Sequence, residues 1–381
     1  MKKLCIVATI PAVVHAFLRE QIQAAAKTYE VTVVCNASDK HLLEGLNARL
    51  VLFRIERKPA VWKDLVATMA LWRLFRREQF NIVHTHMPKT GLLGMVAAKA
   101  ASVPVRIHTF HGEVWATRSG LRRQALKRLD QLVALLATHI LTVSPSQRIF
   151  LINEGVVASG KASLIGSGSV CGVDPVRFQA RTDVGSAIRN QLHIAKASTV
   201  ILFLGRLNRD KGMLDLANAF NAIAMTRHDV VLLLVGAEED VPFRRMQDIC
   251  ATWHDRLYHV EFTPTPERYM AAADIFCLPS YREGLGMSIL EAAACGVPTV
   301  ASRIYGVTDA VVDGDTGLLF KPGDVGALTQ SLLVLIADIP LRKRLGQAAR
   351  ERTLTLFSNT SITRSMMELY DRLSANVKEY S

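Results

Sequence analysis

Acidic residues are scarce in the first 173 positions of this 381-residue chain: 10 stand against 23 Lys and Arg, while residues 174–381 carry 24 acidic and 23 basic side chains. The whole excess of positive charge therefore lies in one half, which points that half toward an anionic surface, either nucleic acid or the headgroup face of a membrane. Cysteine is sparse as well. The six residues Cys5, Cys35, Cys171, Cys250, Cys277 and Cys295 include no Cys-x-x-Cys pair, which argues against a zinc module or a disulfide scaffold. Cys5, Cys35 and Cys277 fall inside apolar strand-like runs and read as buried thiols of a reducing compartment. No apolar run approaches the ~18 residues that a membrane span needs; the best, Leu132–Val143, has His139 inside it. Lys2 and Lys3 before Leu4–Phe17 imitate a secretory leader, but Pro11 and His15 interrupt the run and Leu18–Ala26 continues as an amphipathic helix. We read this segment as a first strand plus helix and expect a cytosolic protein.

With 50% apolar and 21% charged residues, disorder and collagen are excluded for the chain as a whole. Its length suggests two domains, each large enough to bury a core. Short apolar runs alternate with helical patterns. In the first half the strands read 3–9, 31–35, 49–53, 82–86, 106–110 and 140–143; in the second, 199–204, 230–235, 257–262, 275–279, 299–301 and 318–320. Strands separated by helices build parallel sheets through right-handed crossovers, so each half is expected to be a doubly wound α/β domain. The Gly- and Ser-rich stretch from Ile165 to Pro175 sits where the charge balance changes and reads as the hinge, which gives domains 1–173 and 174–381. The final amphipathic helix, 358–375, could stay with the second domain or pack back on the first. Ligands of open parallel sheets bind outside the carboxyl ends of the strands, so the expected site is an interdomain cleft.

Two constellations carry chemistry. Gly205-Arg206 through Lys211-Gly212 follows an apolar strand directly and precedes a helix. Arg206 offers a planar fork and Lys211 a point charge, a pair suited to neighbouring phosphoryl oxygens. The second runs Glu283-Gly284-Leu285-Gly286-Met287-Ser288, with Glu291 about a turn and a half into the helix that opens near Gly286. Amides at such a helix start seat a phosphate, and the glycines let the ligand approach the backbone. A carboxylate accepts hydrogen bonds from two vicinal hydroxyls, as a ribose or pyranose presents. Glu283 and Glu291 could also be a glycosidase pair flanking one bond at roughly 5–9 Å. Beside a phosphate seat and an Arg/Lys couple, carboxylates that grip a nucleotide sugar fit better.

These motifs resemble the donor domain of the retaining glycosyltransferases of family four, on the two-domain GT-B architecture. The resemblance rests on Gly205-Arg206-Leu207 with Lys211-Gly212, on the Glu-x7-Glu spacing from Glu283 to Glu291, on Pro298-Thr-Val-Ala-Ser302, and on Asp313 through Phe320. It implies that Arg206 and Lys211 bind the donor diphosphate, that Glu291 holds the ribose and that Glu283 contacts the transferred sugar. Thr109-Phe110-His111-Gly112 resembles the family's Thr-x-His-Gly, which implies a place for His111 beside the donor sugar. His84 and His86 also end a strand and are read as positioning acceptor or sugar. The chain departs from the family at Thr9–His15, where a Gly-rich loop is usual, and at Cys171-Gly-Val-Asp174, where Asn is usual.

The stretch Trp115 to Leu132, with Arg118, Arg122, Arg123, Lys127 and Arg128, alternates basic and apolar residues at helical spacing, and so does Val61 to Arg77. Such helices suit an anionic bilayer, and no nucleic-acid motif or stacking platform accompanies them. Taken together, the expectation is a retaining glycosyltransferase at the inner face of the plasma membrane. It would move a sugar from a nucleotide-diphosphosugar, UDP-N-acetylhexosamine by likeness to capsule and O-antigen enzymes, to a polyprenyl-diphosphate-linked acceptor, with no metal or other cofactor. Two rivals use the same seat: a non-hydrolysing UDP-sugar epimerase or phosphorylase, and a non-catalytic sugar-binding protein.

Overall fold

The computed structural model describes residues 1–36, 40–55 and 60–375. The chain divides into two compact units, one built of Met1–Gly172 and the helix Asn359–Ala375, the other of Val173–Ser358.

The first unit holds a parallel sheet of strands β1 (Lys2–Ala8), β2 (Tyr29–Cys35), β3 (Arg49–Leu52), β4 (Ile82–His86), β5 (Val105–Phe110), β6 (His139–Thr142) and β7 (Ala162–Leu164), in the order β3-β2-β1-β4-β5-β6-β7. Six of these fall within two residues of the sequence expectation. The exception is β7, three residues at the sheet edge, too short to show a pattern. The sheet is buried on both faces, and side chains alternate between them. Cys5 and Val7 of β1 enter one core with Leu71 and Phe75 of the helix Val61–Glu78 and with Val133 of the helix Gly120–Leu136. Leu4, Ile6 and Ala8 enter the opposite core with Ile22 and with Ile362, Met366, Leu369, Tyr370 and Leu373.

That second set shows where the terminal helix goes. Its apolar residues recur at helical spacing and bury against the first sheet, each worth about 1.5–3 kcal/mol of transfer free energy. Polar ties fix its register: Tyr370 Oη bonds His84 Nδ1 at 2.7 Å, and Tyr29 Oη donates to Asp371 Oδ1 at 2.6 Å.

The second unit has strands β8 (Thr199–Leu204), β9 (Val230–Val235), β10 (Leu257–Val260), β11 (Ile275–Leu278), β12 (Thr299–Ser302) and β13 (Gly317–Phe320), all parallel, in the order β10-β9-β8-β11-β12-β13. Every residue of β9 is buried, as a strand covered on both faces requires. All six cysteines are free thiols, five of them buried. Among the described residues no single helix is long and apolar enough to cross a membrane.

Candidate active site

Strand order reverses between β8 and β11 in the second unit. The chain leaves β8 toward β9 and β10, and leaves β11 toward β12 and β13. Loops at the carboxyl ends of those two neighbours therefore diverge and leave room for a ligand. Both sequence constellations fall there. After β8 come Gly205, the exposed Arg206, the short 3-10 turn Arg209–Lys211 and Gly212, which opens the helix Met213–Ala224. Gly212 has φ +71°, and a Cβ on it would lie 2.0 Å from the Pro279 carbonyl oxygen, so only glycine lets the β8 and β11 loops touch here. After β11 come Ser280, Glu283 and Gly284, then Gly286 at φ +80° as the cap of the helix Met287–Ala294. Gly286 is buried, and a Cβ on it would crowd Ile289 at 3.0 Å, so glycine lets the loop turn tightly into that helix start.

The loops are cross-linked by charge. Lys211 Nζ lies 2.5 Å from Glu283 Oε1, which also accepts from Ser280 Oγ at 2.7 Å. Arg206 Nη1 lies 2.5 Å from Glu239 Oε2, a carboxylate on the loop after β9 that also accepts from Asn208 Nδ2 at 2.7 Å. The two cations expected to share one anion are thus each oriented by a carboxylate of their own. Lys211 keeps further N–H donors beyond the one given to Glu283, and Arg206 likewise. Leu285 is buried, so only its backbone faces outward chemistry, whereas Met287 and Ser288 are partly exposed.

Glu291 has different neighbours from Glu283. Burial pushes its carboxyl up to about 7, against the pull of Arg177 and with a push from Glu267. The unfolded chain releases this proton near the ordinary value of 4.5 while the folded chain holds it until about 7. Stability is therefore lost as pH rises through that window and stays level above it. Glu291→Gln removes the loss. The variant's Tm relative to the parent chain should rise by about 5–10 °C between pH 5 and pH 8 in calorimetry; a difference that does not change with pH would show that the carboxyl titrates normally.

In the first unit order reverses between β1 and β4, and histidines gather on the β4 and β5 side. His84 is not a ligand-positioning residue, as the sequence suggested. It is fully buried, with Nδ1 on Tyr370 and Nε2 2.7 Å from Thr109 Oγ1, a core histidine that ties the terminal helix to the sheet. His86 is buried too; its ring stacks 4.2 Å from His84, and its Nδ1 lies 3.1 Å from Nε2 of the partly exposed His111. Burial holds His84 and His108 down to about 3 and His111 to about 4, with neighbouring histidines adding to the effect for His84 and His108. His111 is therefore a neutral ring at pH 7, able to exchange hydrogen bonds but not to act as a counter-ion. The departing loop after β1 is a helical turn rather than a phosphate loop: Thr9 is buried and its Oγ1 lies 3.1 Å from Thr90 Oγ1.

Trp115 corrects an expectation. Its place in the basic-apolar stretch predicts a membrane-facing surface, but it is buried, donates from Nε1 to Asp130 Oδ2 at 2.7 Å, and stacks on Phe150. It precedes the helix Gly120–Leu136 and folds back beneath it. Arg123 and Lys127 lie over its ring and pair with Glu154, both at 2.7 Å, so their charge is already engaged. Arg118, Arg122 and Arg128 remain exposed. Sequence reasoning missed Glu239 and Ser280; the one signal for the former was Gly236, a glycine directly after a strand. Among the described residues, no three His, Cys, Asp or Glu side chains gather in a metal-binding cluster.

Residues 185–352 match the family described as glycosyl transferases group 1, and residues 14–169 match glycosyltransferase family 4. A capsular polysaccharide biosynthesis glycosyltransferase of Staphylococcus aureus is 27% identical over 356 residues, 93% of this chain and 93% of that protein. A UDP-Gal:alpha-D-GlcNAc-diphosphoundecaprenol alpha-1,3-galactosyltransferase of Escherichia coli is 27% identical over 357 residues, covering 91% of this chain and 90% of its own. Among solved structures, a sucrose-phosphate synthase of Thermosynechococcus elongatus superposes with a TM-score of 0.84 at 22% identity, over 99% of this chain and 100% of that one.

Proposed function

Since the chain belongs to the family-four glycosyltransferases and has their GT-B fold of two Rossmann-like domains, we propose that it transfers a hexosyl or N-acetylhexosaminyl unit from a UDP-sugar, with retention of configuration, to a polyprenyl-diphosphate-linked saccharide in surface polysaccharide assembly. The observation that carries this reading is the Lys211–Glu283 pair beside the Gly286 helix start, at the carboxyl ends of two strands where sheet order reverses. The donor diphosphate sits against Lys211, Arg206 and the amides of that helix. Glu283 accepts from hydroxyls of the transferred sugar, and Glu291 accepts from the ribose. The similarity to the Escherichia coli enzyme, whose name specifies UDP-Gal and a diphosphoundecaprenol-linked acceptor, supports both a UDP donor and a lipid-linked acceptor.

In this scheme the bond from the anomeric carbon to the diphosphate oxygen breaks, the acceptor hydroxyl bonds to that carbon on the same face, and its proton passes to the leaving phosphate. The protein's work is to orient the reactants and neutralise departing charge, with no metal taking part. His111, neutral, serves by hydrogen bonding. The acceptor is lipid-borne, so the enzyme works at the cytoplasmic face of the membrane.

A panel of UDP-Glc, UDP-Gal, UDP-GlcNAc and UDP-GalNAc, scored for UDP release with and without a polyprenyl-diphosphate-linked monosaccharide, tests this. Release from one donor that needs the acceptor is the expected result. Turnover that ignores the acceptor would replace the proposal with an epimerase or phosphorylase, and binding without turnover would replace it with a sugar-binding protein.

A further inference from the structure

The helix Val61–Glu78 is apolar on two sides. Its inner residues Ala67, Leu71, Leu74 and Phe75 are buried in the core of the first unit. Its outer face, at the complementary helical positions, carries Trp62, Leu65, Val66, Met69 and Trp72, with Trp62 79% exposed, Val66 68% and Leu65 51%. A helix on the surface of a soluble protein turns polar residues outward, and five large apolar side chains on one outward stripe mark a contact surface. Along the same stripe the character changes: the last two turns present Arg73, Arg76 and Arg77, all exposed. Apolar bulk for about three turns, ending in cations, is the order a helix needs to dip obliquely into a bilayer and leave its charges among the headgroups. The helix Gly120–Leu136, packed on the same core, exposes Leu121 and Leu135 together with Arg122 and Arg128. The acidic residues of the stripe helix are occupied: Asp64 pairs with Lys89 at 2.7 Å, and Glu78 with Arg49 at 3.0 Å and with Arg77 at 2.9 Å, which leaves Arg77, 72% exposed, further N–H donors for a phosphate.

We propose that the outer stripe of the helix Val61–Glu78 is a docking surface for an anionic lipid bilayer, with Trp62, Leu65, Val66, Met69 and Trp72 entering the acyl boundary and Arg73, Arg76 and Arg77 binding lipid phosphates. The partner is a bilayer rather than a protein because the stripe pairs an apolar end with a cationic one and lies in the half of the chain that holds the whole excess of positive charge. The docking surface rests on the proposed reaction only for the reason a membrane is wanted. Vesicle binding is read without donor or acceptor, so either idea can fail while the other stands.

The full-length chain is sedimented with vesicles of phosphatidylcholine alone and with phosphatidylglycerol added at about one part in three. Binding is expected to the anionic vesicles and to weaken with salt, with a blue shift of Trp62 and Trp72 emission against the background of buried Trp115 and of Trp253 in the second unit. Val66→Glu with Met69→Glu should lower the partition coefficient at least about tenfold, and Arg73, Arg76 and Arg77 changed together to Gln should lower it by a similar factor while removing the salt dependence. These positions are exposed, so Tm should not move. The proposal is overturned if the parent chain stays in the supernatant with anionic vesicles, or if the Glu variants bind as it does. It is also overturned if light scattering shows a concentration-dependent dimer that the Glu variants abolish, since a second copy would then cover the stripe.

Discussion

Lys211→Met should lower kcat by about 10²–10³ at saturating donor and acceptor, the loss typical of removing one preorganised group aimed at developing negative charge. Two features make this the costliest single change in the second unit's site. Lys211 is only 22% exposed and lies against a carboxylate at 2.5 Å, so its charge acts in a low dielectric and is little screened by salt. Its removal also leaves Glu283, 11% exposed, with the Ser280 hydroxyl as a donor but without its cation, so the carboxylate that should hold the sugar loses its orientation. Arg206→Ala should be milder, because Arg206 is 50% exposed and water can replace part of what it supplies. Steady-state kinetics of both variants, with circular dichroism to confirm the fold, decides the matter. A Lys211→Met enzyme within threefold of the parent kcat would end the case for a diphosphate seat at this loop.

Acid should unfold the first unit well before it unfolds the second. His84, His86, His108 and His111 are all held neutral by burial, His84 and His108 down to about 3, His111 to about 4 and His86 well below its ordinary value. In the unfolded chain each takes a proton near 6.5. The unfolded state therefore binds more protons below that pH, and the stability present above it drains away as pH falls toward the folded values. Each histidine still neutral at pH 5 costs roughly 2 kcal/mol. Within this unit Asp130, raised to about 6 by burial, acts in the opposite sense, while His139, also lowered by burial, adds to the four. Thermal melts between pH 5 and pH 7.5, followed by fluorescence that three of the four tryptophans place in the first unit, should show Tm climbing steeply with pH. His84→Gln should shallow the climb by about a quarter. A Tm that is flat across this range would mean that water reaches the histidines and they titrate as free rings.

The outcomes for individual elements show where sequence carries structural information and where it does not. Val230–Val235 could be placed because six consecutive apolar residues bounded by turn residues have few uses other than a strand covered on both faces. Lys211, Glu283 and Gly286 were legible for a related reason: glycines at strand ends mark close approaches of backbone, and charge placed beside them has a local purpose. Trp115 was not legible. Helical spacing tells which residues share a side of a helix, but Trp115 lies before Gly120, where the helix begins, and the direction in which that loop folds depends on Asp130 waiting beneath it. His84 and His86 project from the same side of one strand, and what covers that side is a helix more than 270 residues later, a pairing that no local pattern encodes. Glu239 escaped for the same reason, since its tie to Arg206 joins loops 33 residues apart.

The return of the last helix to the first unit sets an order on biosynthesis. Everything that Val173–Ser358 requires is synthesised before Asn359, whereas the first unit must wait past the whole of the second for the helix that covers Leu4, Ile6 and Ile22. Until the last residues emerge, His84 has no tyrosine to bond and an apolar sheet face stands open to chaperones or to aggregation. A stop codon just past residue 358 would therefore spare the second unit and cripple the half that lies farthest from it in the gene.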